Sequence, residues 1–538
     1  NPPSDPPPVW TVQPWPTNNV EILDVSIGPT YTDTFGRVVT KPTSTSLYPG
    51  YDTNGLSIAT HNGFQKTVLS NSSGAIIPPQ YGFNSVVQAL ITDSNLPSRS
   101  DYIFPSNNIG WYFADIYVNP SDDEEIFALG VRMANSTNGG KSFSVMKGLV
   151  QHIQPSPAQT LHLDHCELWI NPVNPNHIAV GNDGGLYVSY DKGNNWLHHN
   201  NIPTGEFYDI ELDNKTPYNI YGGTQDDATV FGPSSEWKNS FDDKWKYLWI
   251  DAWDGGDGCI TQIDPNDNNT IYFSMQNGAI RRKNMMTGES KSIKPKLPSD
   301  IKNELKYNFI TPYLISYHNS NILYHAGNYV FKSYDRGDSW NVISGDLTNS
   351  STPSKASFSA GAFAESKISQ GLLYYGSDKG SFWVTKNDGK IWKEFSINIA
   401  DAYIRSISPS NFRKSRVYMS MTGINYDDLN NYIYVSENYG HKWESIKSNL
   451  PNEPVNLIVE DSKYEDILYA GLYRGIYISL DRGQTWKILG NNFPMSSVSD
   501  IEIHKETNEM VVSTHGRGIY KINLKPKDIR VFLRSYYN

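Results

Sequence analysis

Three observations predict an all-β fold of repeated four-stranded units. One short pattern, S-x-D-x-G-x-T-W, recurs with starts at residues 136, 189, 333, 385, 436 and 479. Most gaps between starts are 43 to 53 residues, and the one long gap, 144, equals three such periods. A fixed period of this size marks a repeat architecture. The composition favours strands and turns, with 35 Tyr, 14 Trp, 41 Gly and 32 Pro among 538 residues and no long amphipathic helical run. Four strands per unit closed by a tight turn describe a β-propeller blade.

The clearest unit is Ile467 to Trp486, ILYAGLYRGIYISLDRGQTW. Two runs rich in Tyr, Ile and Leu are broken by Arg474-Gly475, which reads as strand, turn, strand. In the following turn Asp481 is placed to accept amide hydrogen bonds, Gly483 to take positive φ, and Trp486 to fold back over the turn. Ser333 to Trp340 and Ser189 to Trp196 repeat the pattern closely. Ser136 to Phe143 has Asn for Asp and Phe for Trp, while Thr385 to Trp392 and Ser436 to Trp443 are looser copies. Gly55 to Leu69 is a degenerate first copy. The long gap holds two units without the turn, Phe207 to Phe231 and Gly258 to Arg282, and Val498 to Ile522 ends the series. Nine or ten blade-like units result. They form either one large ring or a seven-blade ring plus part of a second, and the spacing leaves both open.

Asn1 to Pro16 carries seven prolines and reads as a linker, residues 17–524 as propeller repeats, and 525–538 as a tail or the start of a further segment. The start without Met or a signal peptide reads as a processed or truncated chain. The net charge of -11 argues against nucleic-acid partners and anionic membrane surfaces. No apolar run is long enough to span a membrane. The two cysteines, Cys166 and Cys259, give no disulfide framework.

The repeated turn resembles the Asp-box of bacterial neuraminidase repeats. Segments 162–196, 207–229, 254–265, 320–348 and 513–520 are similar, in the same order, to secreted bacterial propellers related to sortilin and xyloglucanase. The resemblance spans roughly Gly110 to Tyr520. It implies a secreted or cell-surface, bacterial-type extracellular protein. Its fold hosts hydrolases, receptors and assembly factors alike. Two cysteines exclude the cysteine-rich module that follows the sortilin propeller. No Arg-Ile-Pro stretch is present, which argues against a sialidase. Neither catalytic Asp of the xyloglucanases matches a position here.

Several constellations could carry chemistry. His162, Asp164 and His165 lie close together, with Asp183 after the next strand; His and Asp can ligate Zn²⁺ or Ca²⁺, and His162, Asp164 and Asp183 are expected to bind ligand on one face with Gln225, Asp226, Asp254, Asp257 and Gln276. The competing reading is a polar blade edge, because strand alternation puts His165 on the opposite face from His162 and Asp164. Asp226, Asp227, Asp251, Asp254 and Asp257 supply carboxylates from two neighbouring units. Glycosidases need two, roughly 5–9.5 Å apart. Asp226, Asp254 and Asp257 are the catalytic candidates, and Asp254 with Asp257 the candidate calcium ligands. The competing reading is turn capping. Gln225 and Gln276 are equivalent in successive units, as are Arg474 and Arg517, so they form a polar ring that binds ligand or hydrates the channel. Trp111, Trp169, Trp237, Trp245, Trp249 and Trp253 cluster in the first half, and Trp253 falls where the turn is missing, a better place for ligand stacking. Trp196, Trp340, Trp443 and Trp486 are structural.

The sequence thus predicts a secreted or surface propeller that binds or assembles with a protein or glycan partner, such as an upstream propeller or a neighbouring subunit. It needs no cofactor other than the calcium considered above. The alternative is a polysaccharide hydrolase of xyloglucanase type acting on β-glucans.

Overall fold

The computed structural model describes residues 115–130, 132–146, 161–199, 202, 204–235, 245–248, 256–348, 358–395, 402–490 and 492–524, with five short strands before them. Among the described residues there are nine four-stranded antiparallel sheets, eight of them simple meanders. The chain is a β-propeller protein. It divides into two units, residues 17–202 and residues 1–16 with 203–538.

The second unit holds seven of the nine sheets. Their innermost strands are Phe207–Leu212, Gly258–Asp264, Tyr313–Ile315, Ala360–Glu365, Tyr403–Pro409, Val455–Glu460 and Ser497–Ile503, and define blades 1 to 7. Each consecutive pair of blades shares an apolar core. Tyr221 meets Ile271 between blades 1 and 2, Tyr272 meets Tyr313 between 2 and 3, and Ala326 meets Tyr375 between 3 and 4. Tyr374 meets Ile404, Tyr418 meets Trp486, and Tyr469 meets Val512 across the next three interfaces. Phe207 and Ile210 then meet Val511 and Ile519, which joins blade 1 to blade 7 and closes the ring. Gly205 O accepts from Gly516 N and Gly518 N at 2.9 and 3.1 Å, and Lys521 Nζ donates to Ser234 O at 2.9 Å, across the same seam. The seven-blade alternative is therefore the one realised.

Because each blade is sandwiched between two others, its second strand is buried on both faces. Leu373–Ser377 and Leu468–Leu472 are buried throughout. This is why those strands read as continuous apolar runs and not as alternation. Blade 7 obtains its outer strand from the other end of the chain. Thr11–Val12 pairs antiparallel with Ile519–Asn523, Thr11 opposite Lys521 and Val12 opposite Tyr520. The last unit thus needs no turn leading into a fourth strand of its own, which accounts for its missing motif.

The first unit contains two four-stranded sheets, with inner strands Ile116–Asn119 and His165–Ile170. They share a core including Phe127, Leu168 and Trp196, and Lys192 bridges to the buried Glu125 at 3.0 Å. Two hairpins, Thr30–Thr32 with Val38–Thr40 and Ser57–Ala59 with Gln65–Thr67, precede them.

All six recurring turns share one hydrogen-bond pattern. In the copy at 479, Ser479 Oγ donates to Asp481 Oδ1 at 2.8 Å and accepts from Gly483 N at 2.7 Å, while Asp481 Oδ1 accepts from Thr485 N at 2.8 Å. Asn138, Asp191, Asp335, Asn387 and Asn438 accept the same amide bond at 2.8 to 3.0 Å. The residue before the motif Gly is also left-handed, as at Arg336 (φ 61°) and Arg482 (φ 57°). The indole does more than cover its own turn. Trp340, Trp392 and Trp486 donate through Nε1 to Ile293 O, Ile343 O and Ile446 O of the preceding blade, at 2.7 to 2.8 Å.

Partial burial opposes the Asp481 charge, but hydrogen bonds from Thr485 and Ser479 outweigh it and hold the carboxyl below its ordinary value. Asp481→Ala is expected to lower unfolding free energy by about 1–2 kcal/mol. A depressed native value gives stability at neutral pH that disappears in acid, so the gap to wild type should narrow below about pH 4. Denaturant melts at two pH values measure this. Lost ligand binding with unaltered stability would contradict a structural role.

Candidate ligand site at the ring mouth

Six of the seven inner strands break register with their neighbour at the same level. The breaks fall between Phe207 and Asp209, Gly258 and Thr261, Ala360 and Ala362, Ile404 and Ser406, Val455 and Leu457, and Val498 and Asp500. Each is a β-bulge, which re-aims a side chain that would otherwise follow the pleat. Glycines of the second strands allow the close approach this needs. A Cβ on Gly471 would sit 2.6 Å from Val498 Cγ1, and one on Gly376 would sit 2.5 Å from Ile404 Cγ2.

Four of the bulged residues, Tyr208, Arg405, Asn456 and Ser499, line one cavity of about 550 Å³ at the end of the ring where the inner strands begin. Phe309 and Tyr473 stand at its rim, 45% and 40% exposed. Asn308, Tyr403, Thr422, Ser497 and His515 complete the polar wall, and the short 3₁₀ turn Ile424–Tyr426 adds Asn425. A pocket of this size with rings and a few convergent polar groups is the usual form of a small-ligand site.

The polar groups are held in fixed roles. Tyr208 Oη donates toward Asp257 Oδ2 at 2.8 Å and lies 3.1 Å from Gln225 Oε1. Gln276 Nε2 donates to Asp257 Oδ1 at 3.1 Å. His515 Nε2 lies 3.2 Å from Gln225 Oε1, a pure acceptor, so Nε2 carries the proton and Nδ1 does not. Burial holds the His515 imidazole below its ordinary pKa, against the opposing effect of Glu206 and helped by Arg405. Burial likewise raises the Asp257 carboxyl, opposed by the Tyr208 hydrogen bond and reinforced by Asp226.

The sequence candidates distribute as follows. Gln225, Asp226, Asp257 and Gln276 come together beside the mouth, joined by these bonds and by Asp226 N donating to Asp257 Oδ1 at 3.4 Å. Asp226 (φ 57°) and Ala228 (φ 53°) form a strained turn between strands. Asp251, Asp254 and Trp253 lie outside the described residues, as do Trp111, Trp237 and Trp249. His162, Asp164 and Asp183 belong to the first unit and not to the ring. His162 and Asp164 precede their strand, which starts at His165, and Asp164 is left-handed at φ 62°, so strand alternation does not apply to them. Arg474 is exposed and paired with Glu453 at 2.5 Å, and Arg517 is exposed on the last hairpin of blade 7. Among the described residues no group of three or more His, Cys, Asp or Glu has the arrangement of a metal site.

Sequence reasoning missed Arg405, Tyr403, Asn456, Tyr473 and Ser499. The bulges that aim them leave no mark in hydrophobic pattern. No single residue type marks them: the skipped residue is Tyr208, Arg405, Asn456 or Ser499 in four strands, Gly361 in blade 4, and blade 3 has none.

Fold and site together define a β-propeller with an open, ring-lined mouth. No family model matches the chain, and no curated protein matches it. Among solved structures, it is similar to the extracellular domain of a protein assigned as a hybrid two-component system in B. thetaiotaomicron, at 16% identity and TM-score 0.41, over 59% of this chain and 40% of that one. It is also similar to YCF48 from Cyanidioschyzon merolae, at 10% identity and TM-score 0.37, over 69% of this chain and 97% of that one. The propeller class rests on the sheet order and the closed series of shared cores. No helix among the described residues is long and apolar enough to cross a membrane.

Proposed function

We propose that this protein is a secreted or surface-exposed binding module, and that the ring mouth is where it takes a polar ligand presented by a glycan or protein partner. The observation that carries this reading is the convergence of bulged side chains from separate blades on one cavity. Bulges interrupt a ladder and weaken it, so their repetition at one level favours a purpose at that level. The rim rings supply stacking faces, and the amides and hydroxyls between them supply directional bonds.

The hydrolase alternative fares less well at the carboxylates. Asp257 accepts from the backbone N of Asp226 at 3.4 Å, and the Asp226 charge adds to burial in raising its carboxyl. The Asp257 oxygens are already engaged by Tyr208, Gln276 and the Asp226 amide. Little or no reducing sugar should be released from xyloglucan or other β-glucans.

The test is a saccharide panel read by calorimetry and end-group release on wild type and Tyr473→Ala. A panel member should bind without cleavage, and Tyr473→Ala should weaken it about tenfold, as one lost stacking contact of ~1–2 kcal/mol implies, with unchanged melting temperature. Binding indifferent to Tyr473→Ala, or robust cleavage abolished by Asp257→Asn, would overturn the reading.

A further inference from the structure

We propose that the ligand of the ring mouth is an acidic saccharide, with the carboxylate of a uronic acid unit seated on Arg405. This rests on the reading of the mouth as a binding site and names what enters it.

Arg405 is the only charged side chain lining the cavity besides the neutral-leaning His515, and none of the lining residues is acidic. It has no ion-pair partner among the described residues. Other half-buried arginines of this ring are paired: Arg336 meets Asp264 at 3.0 Å and Arg282 meets Asp338 at 3.1 Å. In a chain of net charge -11, a guanidinium with no ion pair among the described residues gives the lining of this cavity of about 550 Å³ a positive group and no negative one. Its planar fork matches a carboxylate in two parallel bonds.

The neighbouring groups are also arranged to donate. The Tyr403 hydroxyl accepts from Asn308 Nδ2 at 2.8 Å and contacts Arg405, so its own proton is left to point elsewhere. Ser497 Oγ accepts from Asn456 Nδ2 at 2.9 Å, which leaves its proton likewise. His515 Nδ1 is an acceptor, by the tautomer its Gln225 contact sets. One cation, two hydroxyl donors and one acceptor therefore stand among exposed rings. A sugar ring offers an apolar face to stack, hydroxyls that both donate and accept, and, when oxidised at its terminal carbon, a carboxylate.

The experiment is calorimetric titration of the full chain with a galacturonic acid disaccharide and a glucuronic acid disaccharide, each beside its methyl ester. At least one acid should bind ten times more tightly than its ester, and raising the salt should weaken the acid alone. Arg405→Gln should abolish the preference, and Arg405→Lys, which keeps the charge but not the fork, should keep part of it. Melting curves of both variants check folding, and Arg405→Lys carries the test if Arg405→Gln does not fold. Equal binding of acid and ester, a preference that survives Arg405→Gln, or binding of an Asp/Glu-rich peptide in place of either disaccharide would overturn the assignment. If neutral saccharides bind and Tyr473→Ala weakens them, the mouth remains the site and only the acidic ligand is wrong. If no saccharide responds to either variant, both readings fall.

Discussion

Glu211→Gln is expected to stabilise the protein at pH 8 and to leave it unchanged near pH 4. Glu211, Asp209, Asp500 and Glu502 lie on the inner strands of blades 1 and 7, two on each, at the seam where the ring closes. They are only partly exposed, and the surrounding strands wall them in, so their charged forms are poorly solvated. Burial pushes the Glu211 carboxyl from its ordinary 4.5 up to about 7, with Asp500 adding to the effect and the Leu212 amide opposing it. Burial takes Asp500 to about 6, although the Ile501 and Ile210 amides hold it down. Asp209 and Glu502 are raised well above their ordinary values by burial and by these like charges.

A carboxyl whose native pKa lies above its unfolded value holds a proton that the unfolded chain has released. Stability therefore falls as pH rises from about 4.5 to about 7, and the full penalty persists above that. Removing the charge at Glu211 should recover about 1–3 kcal/mol at pH 8, or roughly 2–4 °C in melting temperature for a unit of this size. Gln keeps the carbonyl that accepts from Leu212 N at 3.1 Å. Differential scanning calorimetry of wild type and variant at the two pH values decides it. A gain of equal size at both, or a loss at pH 8, would sink the proposal that these carboxyls are strained by their enclosure.

Trp486→Ala should have the largest effect of any single turn substitution, a loss of about 3–5 kcal/mol. Trp486 is 3% exposed and packs with Tyr418, Ile433, Ile446 and Leu450 of the preceding blade. Its Nε1 donates to Ile446 O at 2.7 Å, and Asn449 brackets its backbone through N and O, both at 2.8 Å. Ala would leave a cavity between blades 5 and 6 and strand the Ile446 carbonyl. The half-buried Trp392 makes the equivalent bond to Ile343 O at 2.8 Å. Trp392→Ala should cost clearly less, because the area returned to water is smaller. Urea melts of both variants test this, and equal losses would show that the shared hydrogen bond, not burial, sets the scale.

The repeat was legible because the turn is a local structure. Ser479, Asp481, Gly483 and Thr485 satisfy one another within seven residues, and the same chemistry had to be written out wherever the turn occurs. The two units without it were legible from spacing. The linkage of Gln225 and Gln276 was half legible: their equivalence in the repeat was visible, but not that Gln276 bonds Asp257 while Gln225 meets Tyr208, which donates to the same carboxylate. His162 and Asp164 misled because alternation was applied to residues that precede the strand.

By itself, the sequence determined the all-β class, the blade as the unit, and the position of each recurring turn, all set by contacts a few residues apart. Only the tertiary structure decided that seven blades close with Phe207 against Val511, and that Thr11–Val12 supplies the last outer strand. The ring-mouth site was also a tertiary outcome. Tyr208, Arg405, Asn456 and Ser499 are nearly 300 residues apart at the extremes, and they meet because the inner strands that carry them bulge at one level. Such convergence depends on the closure of the ring and on the twist of each blade, and no local pattern encodes either.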